Sequence, residues 1–275
     1  MKNKDRTKMI RELKKTDIEG LNNLPPSEWQ FDYEALLKEF IDEDFFYAFI
    51  LVENNKIVGT GNIFSKGKIG WLGNIMVDKS CRGKGLGHQM TKFLIDFLEN
   101  KGCETQLLIA TKLGESVYKK LGFIKLTEYQ SFDSELDNDF NFPNSIRKLK
   151  LSDLESVYKL DFETNSEDRT HLIDKFYNNG FGYFNSENEL LGFYLPEFGR
   201  GLVLSSDEQA GIELIKLKHS TKGKRTLLPI ENKNGIKFLE KMGLKKGEKS
   251  SRMILGKENK WVPNNIYSYG SGYCG

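Results

Sequence analysis

Apolar positions along this chain switch between two periods, and each switch marks where an element begins or ends. Leu36, Leu37, Phe40 and Ile41 recur at helical spacing and predict a helix over about residues 32–42. The apolar run Phe45 to Val52 predicts a strand over about 45–53, and the Asn54-Asn55 turn folds it onto a partner over about 56–65. A third strand, about 68–78, ends in a glycine-rich turn, and the apolar positions from Leu86 to Leu98 predict a helix over about 85–101. A strand near 105–110, a helix near 114–121 and a strand near 123–131 follow, while a strand near 9–14 and a helix near 16–24 stand in front.

The same order then returns. Ile10-Arg-Glu-Leu-Lys-Lys-Thr-Asp-Ile-Glu19 is echoed by Ile146-Arg-Lys-Leu-Lys-Leu-Ser-Asp-Leu-Glu155. In each, a short strand runs into a helix expected to be capped by Thr16 or Ser152, with Glu19 or Glu155 completing a capping box. Asn55 to Gly59 returns as Asn188 to Gly192, and Val117 to Gly122 as Phe238 to Gly243. Between the copies, Asp133 to Pro143 is acidic, asparagine-rich and ends in proline, which reads as a linker. The expected domains are therefore 1–140 and 141–275.

One stretch carries the chemistry: Val77-Asp-Lys-Ser-Cys-Arg-Gly-Lys-Gly-Leu-Gly87, between a strand and a helix. A helix begun in this way offers unpaired N–H groups and the positive end of its dipole to an anion. Gly83, Gly85 and Gly87 let a bulky phosphate approach the main chain, and Arg82 and Lys84 add positive charge. The stretch lacks the G-K-[ST] of a nucleoside triphosphate loop, and no dinucleotide fingerprint is present.

Arg82-x-x-Gly85-x-Gly87 instead resembles the pyrophosphate loop of the GNAT acetyltransferase superfamily. Ala110-Thr111-x-x-Gly114-x-x-x-Tyr118-x-Lys120-Leu121-Gly122-Phe123 resembles that superfamily's C-terminal motif, in the right order and at the right distance. The resemblance covers roughly residues 9–131. It implies two tandem GNAT folds of α/β (α+β) class, each a mixed, mostly antiparallel central sheet flanked by helices. It also implies acetyl-CoA as co-substrate, held by Ile75, Met76 and Val77 on a strand edge and by Arg82, Gly83, Lys84, Gly85, Leu86 and Gly87 at the phosphates. Gly73-Asn74 suggests a bulge that opens the cleft. A backbone N–H near Ile75 or Met76 would steady the thioester oxyanion, and Tyr118 would protonate the departing thiolate. The second copy is eroded: Asp207 and Glu208 stand where the first has Arg82 and Lys84, and Leu239 stands at the tyrosine position. Carboxylates there repel a pyrophosphate.

Composition adds bounds. With 275 residues, 38% hydrophobic and 29% charged, the chain reads as a soluble, cytoplasmic protein of one large or two ordinary domains. A net charge of +2 is too small to imply nucleic acid or an anionic membrane as the main partner. No apolar run approaches membrane-spanning length, and the N-terminus has no secretory pattern. Cys81, Cys103 and Cys274 show neither disulfide nor metal-ligand spacing, so no metal is expected.

Each functional reading has a plainer competitor. Tyr118 shares a helix face with Val117 and Leu121, as a core aromatic would. Thr111 reads as a helix cap, Cys81 as incidental, Asp78 as a residue ordering the loop, and His171 and His219 receive no role. Ser27 to Phe46 mixes acids with Trp29, Phe31, Tyr33 and Phe46, which suits a cationic amine, although a solvated amphipathic helix is the favoured reading. The basic run Lys216 to Arg225 reads as a solvated helix end. No general base is identifiable, because Ile69 to Val77 holds no acid. The second copy either walls the acceptor pocket, with the Asn264–Gly275 tail reaching across, or mediates homodimerisation. Two functions stand: N-acetyltransfer to a small amine or lysine-containing substrate, and a non-catalytic acyl-CoA-binding sensor or scaffold.

Overall fold

The computed structural model describes residues 8–27, 31–133, 141–220 and 225–274. Residues 1–7, most of the expected linker (134–140), Glu28, Trp29 and Gln30, the centre of the basic run (221–224) and Gly275 lie outside them.

The first half runs β1 (Lys8–Glu12), α1 (Tyr33–Phe40), β2 (Phe46–Glu53), β3 (Lys56–Lys66), β4 (Ile69–Val77), α2 (Leu86–Asn100), β5 (Thr105–Ala110), α3 (Lys112–Lys120) and β6 (Ile124–Phe132). Asn54 and Asn55 both take positive φ, 51° and 60°, which is the primed turn that matches the twist of the β2–β3 hairpin. The helix expected near 16–24 is instead two 3-10 turns, Lys15–Asp17 and Leu21–Asn23, separated by Gly20 at φ 89°. Thr16 and Ser152 are not the caps. Asp17 accepts from the Lys14 N–H (2.8 Å) and takes the Arg11 fork at 2.7 and 2.8 Å. Asp153 does the same with the Lys150 N–H (2.7 Å) and Arg147, at 2.7 and 3.0 Å. A carboxylate can meet a main-chain donor and a guanidinium together, where a hydroxyl cannot. The repeat is thus structural down to one ion pair.

The second half gives β7 (Ile146–Lys148), α4 (Leu154–Asn165), α5 (Thr170–Phe176), β8 (Phe181–Phe184), β9 (Leu190–Leu195), β10 (Leu202–Ser205), α6 (Glu208–His219), β11 (Thr226–Pro229), α7 (Lys233–Lys241), β12 (Lys246–Gly256) and β13 (Ile266–Ser268). The strands form two sheets, ordered β1-β2-β3-β4-β5-β12-β6-β11 and β13-β10-β9-β8-β7. A strand from the second half, β12, therefore sits between two strands of the first. It pairs antiparallel with β5 from Ser251↔Ala110 to Gly256↔Thr105, and with β6 on its other edge. Among the described residues, only β4 and β5 run parallel within the large sheet.

Two apolar layers cover the large sheet. On one face Leu86, Met90, Leu94 and Leu98 of α2 pack on Phe49, Leu51, Ile63, Leu72 and Leu108. On the other, Tyr33, Phe40, Phe64 and Trp71 merge with Leu160, Phe176, Phe198 and Leu202 of the second half into one core. Among the described residues, that core encloses two pairs of opposite charges. Arg169 forks onto Asp161, while Arg252 lies 3.6 Å from Glu167 and sits over the rings of Trp71 and Trp261 at 4.9 and 4.4 Å. The Trp71 indole N–H donates to Glu167 at 2.7 Å. Two cations and two anions balance, which lets them remain buried.

Candidate active site

The cleft opens where β4 and β5 part. Their parallel pairing covers only Ile69 to Trp71, so the rest of β4 leaves its β5-facing edge unpaired. A bulge makes the departure: Thr60 faces Met76 while Asn62 faces Gly73, so two β4 residues oppose Gly61. Asn74 adopts φ 49°, and its side-chain amide donates to Asn62 at 2.7 Å, which fixes the bulge. Ile75 and Val77 lie half-buried against the α2 layer; Met76 points into the opposite core.

Below the bulge, Asp78 accepts from the Ser80 N–H at 2.8 Å, the loop-ordering bond expected of it. The chain then turns through Gly83 and Gly85, both at φ 77°, into α2. No residue among those described accepts from the amides of residues 82–87, and Gly85 as N-cap provides no side chain. Open space lies above Gly83 and Gly85, where an added Cβ would meet nothing within 4 Å. Residues 82–85 are exposed, and unpaired amides leading into a helix N-terminus suit an anion. Lys84 is exposed beside them. Arg82 turns back instead, its Nε donating to the Val77 carbonyl at 3.0 Å and tying the nest to the strand.

Thr111 caps α3 by accepting from Gly114, as its sequence position implies. Tyr118, in the last turn of α3, packs edge-on to Phe123 with ring centres 6.0 Å apart. An added Cβ at Gly114 would fall 2.9 Å from the tyrosine ring, so glycine makes room for it. Tyr118 packs against the same apolar layer as Ile75 and Val77, and its hydroxyl has no hydrogen-bond partner among the described residues. Burial pushes its pKa up to about 12. The second half secures this helix, since Ser251 of β12 donates to Glu115 of α3 at 2.7 Å.

A family comparison bears directly on this arrangement. Residues 10–123 match the acetyltransferase (GNAT) family. That segment is a GNAT domain. Among curated relatives, a probable glucosamine 6-phosphate N-acetyltransferase 2 of Oryza sativa subsp. japonica is 30% identical over 78 residues, 26% of this chain and 47% of that protein. The glucosamine 6-phosphate N-acetyltransferase of Arabidopsis thaliana is 29% identical over 87 residues, 28% of this chain and 58% of that protein. The chain thus spans about half the length of the curated relatives it matches. Solved structures extend the likeness to both halves. A candidate acetyltransferase from Pyrococcus horikoshii superposes with a TM-score of 0.82 at 18% identity, covering 98% of this chain and 96% of that one. A tandem GNAT protein from the clavulanic acid biosynthesis pathway does so at 0.63 and 10%, covering 92% and 100%. The chain has the tandem GNAT fold.

Against the GNAT domain, the second half shows a closed counterpart. Asp207 caps α6 by accepting from Ala210 at 2.8 Å, so a carboxylate occupies the head of the equivalent helix. β13 pairs antiparallel with β10 at Val203↔Ser268 and Leu204↔Ile266, and the Tyr269 N–H donates to Leu227 of β11 at 2.7 Å. The tail fills the gap between β10 and β11 that the GNAT domain leaves open between β4 and β5. It then continues to the GNAT domain: Tyr273 stacks on Phe64 with centroids 5.4 Å apart, and Gly272 lies against Ile109 of β5. Through Gly272 and Tyr273 the tail thus touches the GNAT domain. Glu197, Glu167 and Arg252 carried no motif that pointed to them.

Proposed function

We propose that the chain is an N-acetyltransferase that moves an acetyl group from acetyl-CoA to a primary amine by direct attack in a ternary complex. The observation that carries this reading is the set of free amides at residues 82–87, beside an unpaired strand edge. The nest suits a pyrophosphate, and the β4 edge suits the peptide-like amides of the pantetheine arm. The Val77 carbonyl has a second lone pair for that pairing although it already accepts from Arg82. In the reaction the amine nitrogen bonds to the thioester carbonyl carbon and the C–S bond breaks. The amine gives up one proton and the departing sulfur takes one up. Tyr118 supplies the latter: it is protonated at neutral pH, and the apolar surroundings that raise its pKa also raise the proton affinity of a nascent thiolate. The domains of the reading are 1–140 for donor binding and 141–275 for support, with acetyl-CoA excluded from the second by its own tail.

Calorimetry with acetyl-CoA and a thiol-release assay over an amine panel test the reading. Gly85→Val is expected to abolish measurable acetyl-CoA binding, because a branched side chain at φ 77° is strained and projects into the anion's space. Tyr118→Phe is expected to lower kcat by about 10²-fold while acetyl-CoA affinity stays near wild type. Binding that survives with no turnover in the wild-type chain would support the sensor or scaffold reading instead.

A further inference from the structure

A cavity of about 190 Å³ lies between α1 and the Glu197–Gly199 turn of the second half. Tyr273 links it to the cleft. An added Cβ at Gly73 would fall 2.2 Å from the Tyr273 Cβ, so the tail crosses β4 one residue before the bulge, and glycine is what permits it. The other side of the residue lines the cavity, together with the rings of Phe40, Phe176 and Phe198. Among the described residues, the charged groups in the lining are Asp32, Glu39 and Glu197, all acidic. Asp32 is engaged in capping α1 and Glu197 accepts from Asn179, whereas Glu39 makes no hydrogen bond or ion pair among the described residues. These surroundings already hold one ammonium. Lys175 lies 2.8 Å from Glu43 and 5.2 Å from the centre of the Phe40 ring, beside the cavity rather than in it.

Resting on acetyl transfer at the β4–β5 cleft, we infer that this cavity is a second subsite of the acceptor and takes an alkylammonium group. The acceptor is then an amine with a further cation on an aliphatic arm. One nitrogen, deprotonated, attacks the thioester; the other stays protonated against Glu39, with the faces of Tyr273 and Phe40 around its methylene chain. Among the described residues, a phosphate in the same place would meet three carboxylates and no lining cation. The subsite therefore separates this chain from the sugar-phosphate acceptors named for its plant relatives. It also gives the second half and its tail a part in the site, as specificity elements rather than catalytic ones.

The test compares 1,6-diaminohexane, 6-amino-1-hexanol and glucosamine 6-phosphate as acceptors for the full chain. The diamine is expected to show kcat/KM about tenfold above the amino alcohol, which has the same length but lacks the second charge. Glu39→Gln, at an exposed position, is expected to raise KM for the diamine alone and bring the pair to parity, with kcat and acetyl-CoA affinity unchanged. Tyr273→Ala is expected to raise KM for both amines, and Tyr273→Phe to restore it, since the ring face suffices. Parity in the wild type, preference for the sugar phosphate, or an unchanged diamine KM in Glu39→Gln overturns the subsite while leaving acetyl transfer standing. Absence of heat with acetyl-CoA removes the donor site and the subsite together.

Discussion

A chain ended at residue 245 is expected to lose cooperative folding altogether, including in the GNAT domain that such a truncation leaves formally intact. It lacks β12, whose backbone joins β5 to β6 and whose Arg252 and Met253 are 0% exposed. Without it, β5 and β6 expose unpaired edges inside what was a continuous sheet, and Leu108 and Ile254's neighbours lose their cover. The isolated segment 1–140, which lacks β12 as well, should bind acetyl-CoA weakly or expose apolar surface. A chain ended at residue 262 serves as the comparison, because it keeps β12 and lacks β13 and the tail. Circular dichroism through a denaturant series measures the difference. The longer chain should show a single sigmoidal transition, and the shorter should show none or aggregate. A sharp transition for residues 1–245 would mean that β5 and β6 close the sheet on their own.

That strand exchange marks the boundary of what the sequence discloses. Local features were legible because a few neighbouring residues determine them: Asn54-Asn55 made its hairpin, Thr111 its cap, and Arg82-x-x-Gly85-x-Gly87 its nest. The repeat was legible because Arg11 and Arg147 recur at the same distance from Asp17 and Asp153, although Thr16 and Ser152 were read as the capping side chains in place of those aspartates. The position of β12 was not legible. β6 and β12 are both strands of the right length, and nothing local states which partner each takes when two copies share one chain. The acceptor side was hidden for a similar reason. Glu39 looked like the solvated face of an amphipathic helix, since only tertiary structure brings Glu197, Phe198 and Tyr273 opposite it. The buried charges were invisible in principle: an arginine in an alternating strand reads as solvent-facing until two tryptophans enclose it.

Those charges lead to the other large effect. Asp161→Ala is expected to destabilise the chain by about 3–5 kcal/mol, the cost of leaving a buried guanidinium without its counter-ion. Asp161 and Arg169 are 1% and 3% exposed at their side chains, so water cannot replace the lost partner. Attraction to Asp161 keeps Arg169 charged although burial opposes the charge, and no other carboxylate forms an ion pair with it among the described residues. Replacing both residues with apolar groups of similar volume, Asp161→Leu with Arg169→Met, should cost less than Asp161→Ala alone, because no charge then stays buried. Urea unfolding of the two variants against wild type measures this directly. The ordering matters more than either value: a double variant less stable than Asp161→Ala would show that the pair supplies net stability. The effect should also reach the site, since Arg169 donates to the Cys274 carbonyl at the end of the tail. A guanidinium released from Asp161 no longer holds that carbonyl in place, and Tyr273 beside it loses its fixed position over Gly73. Discrimination between diamine and amino alcohol should therefore weaken in Asp161→Ala at temperatures where the chain is still folded, while binding of acetyl-CoA at the distant amide nest persists.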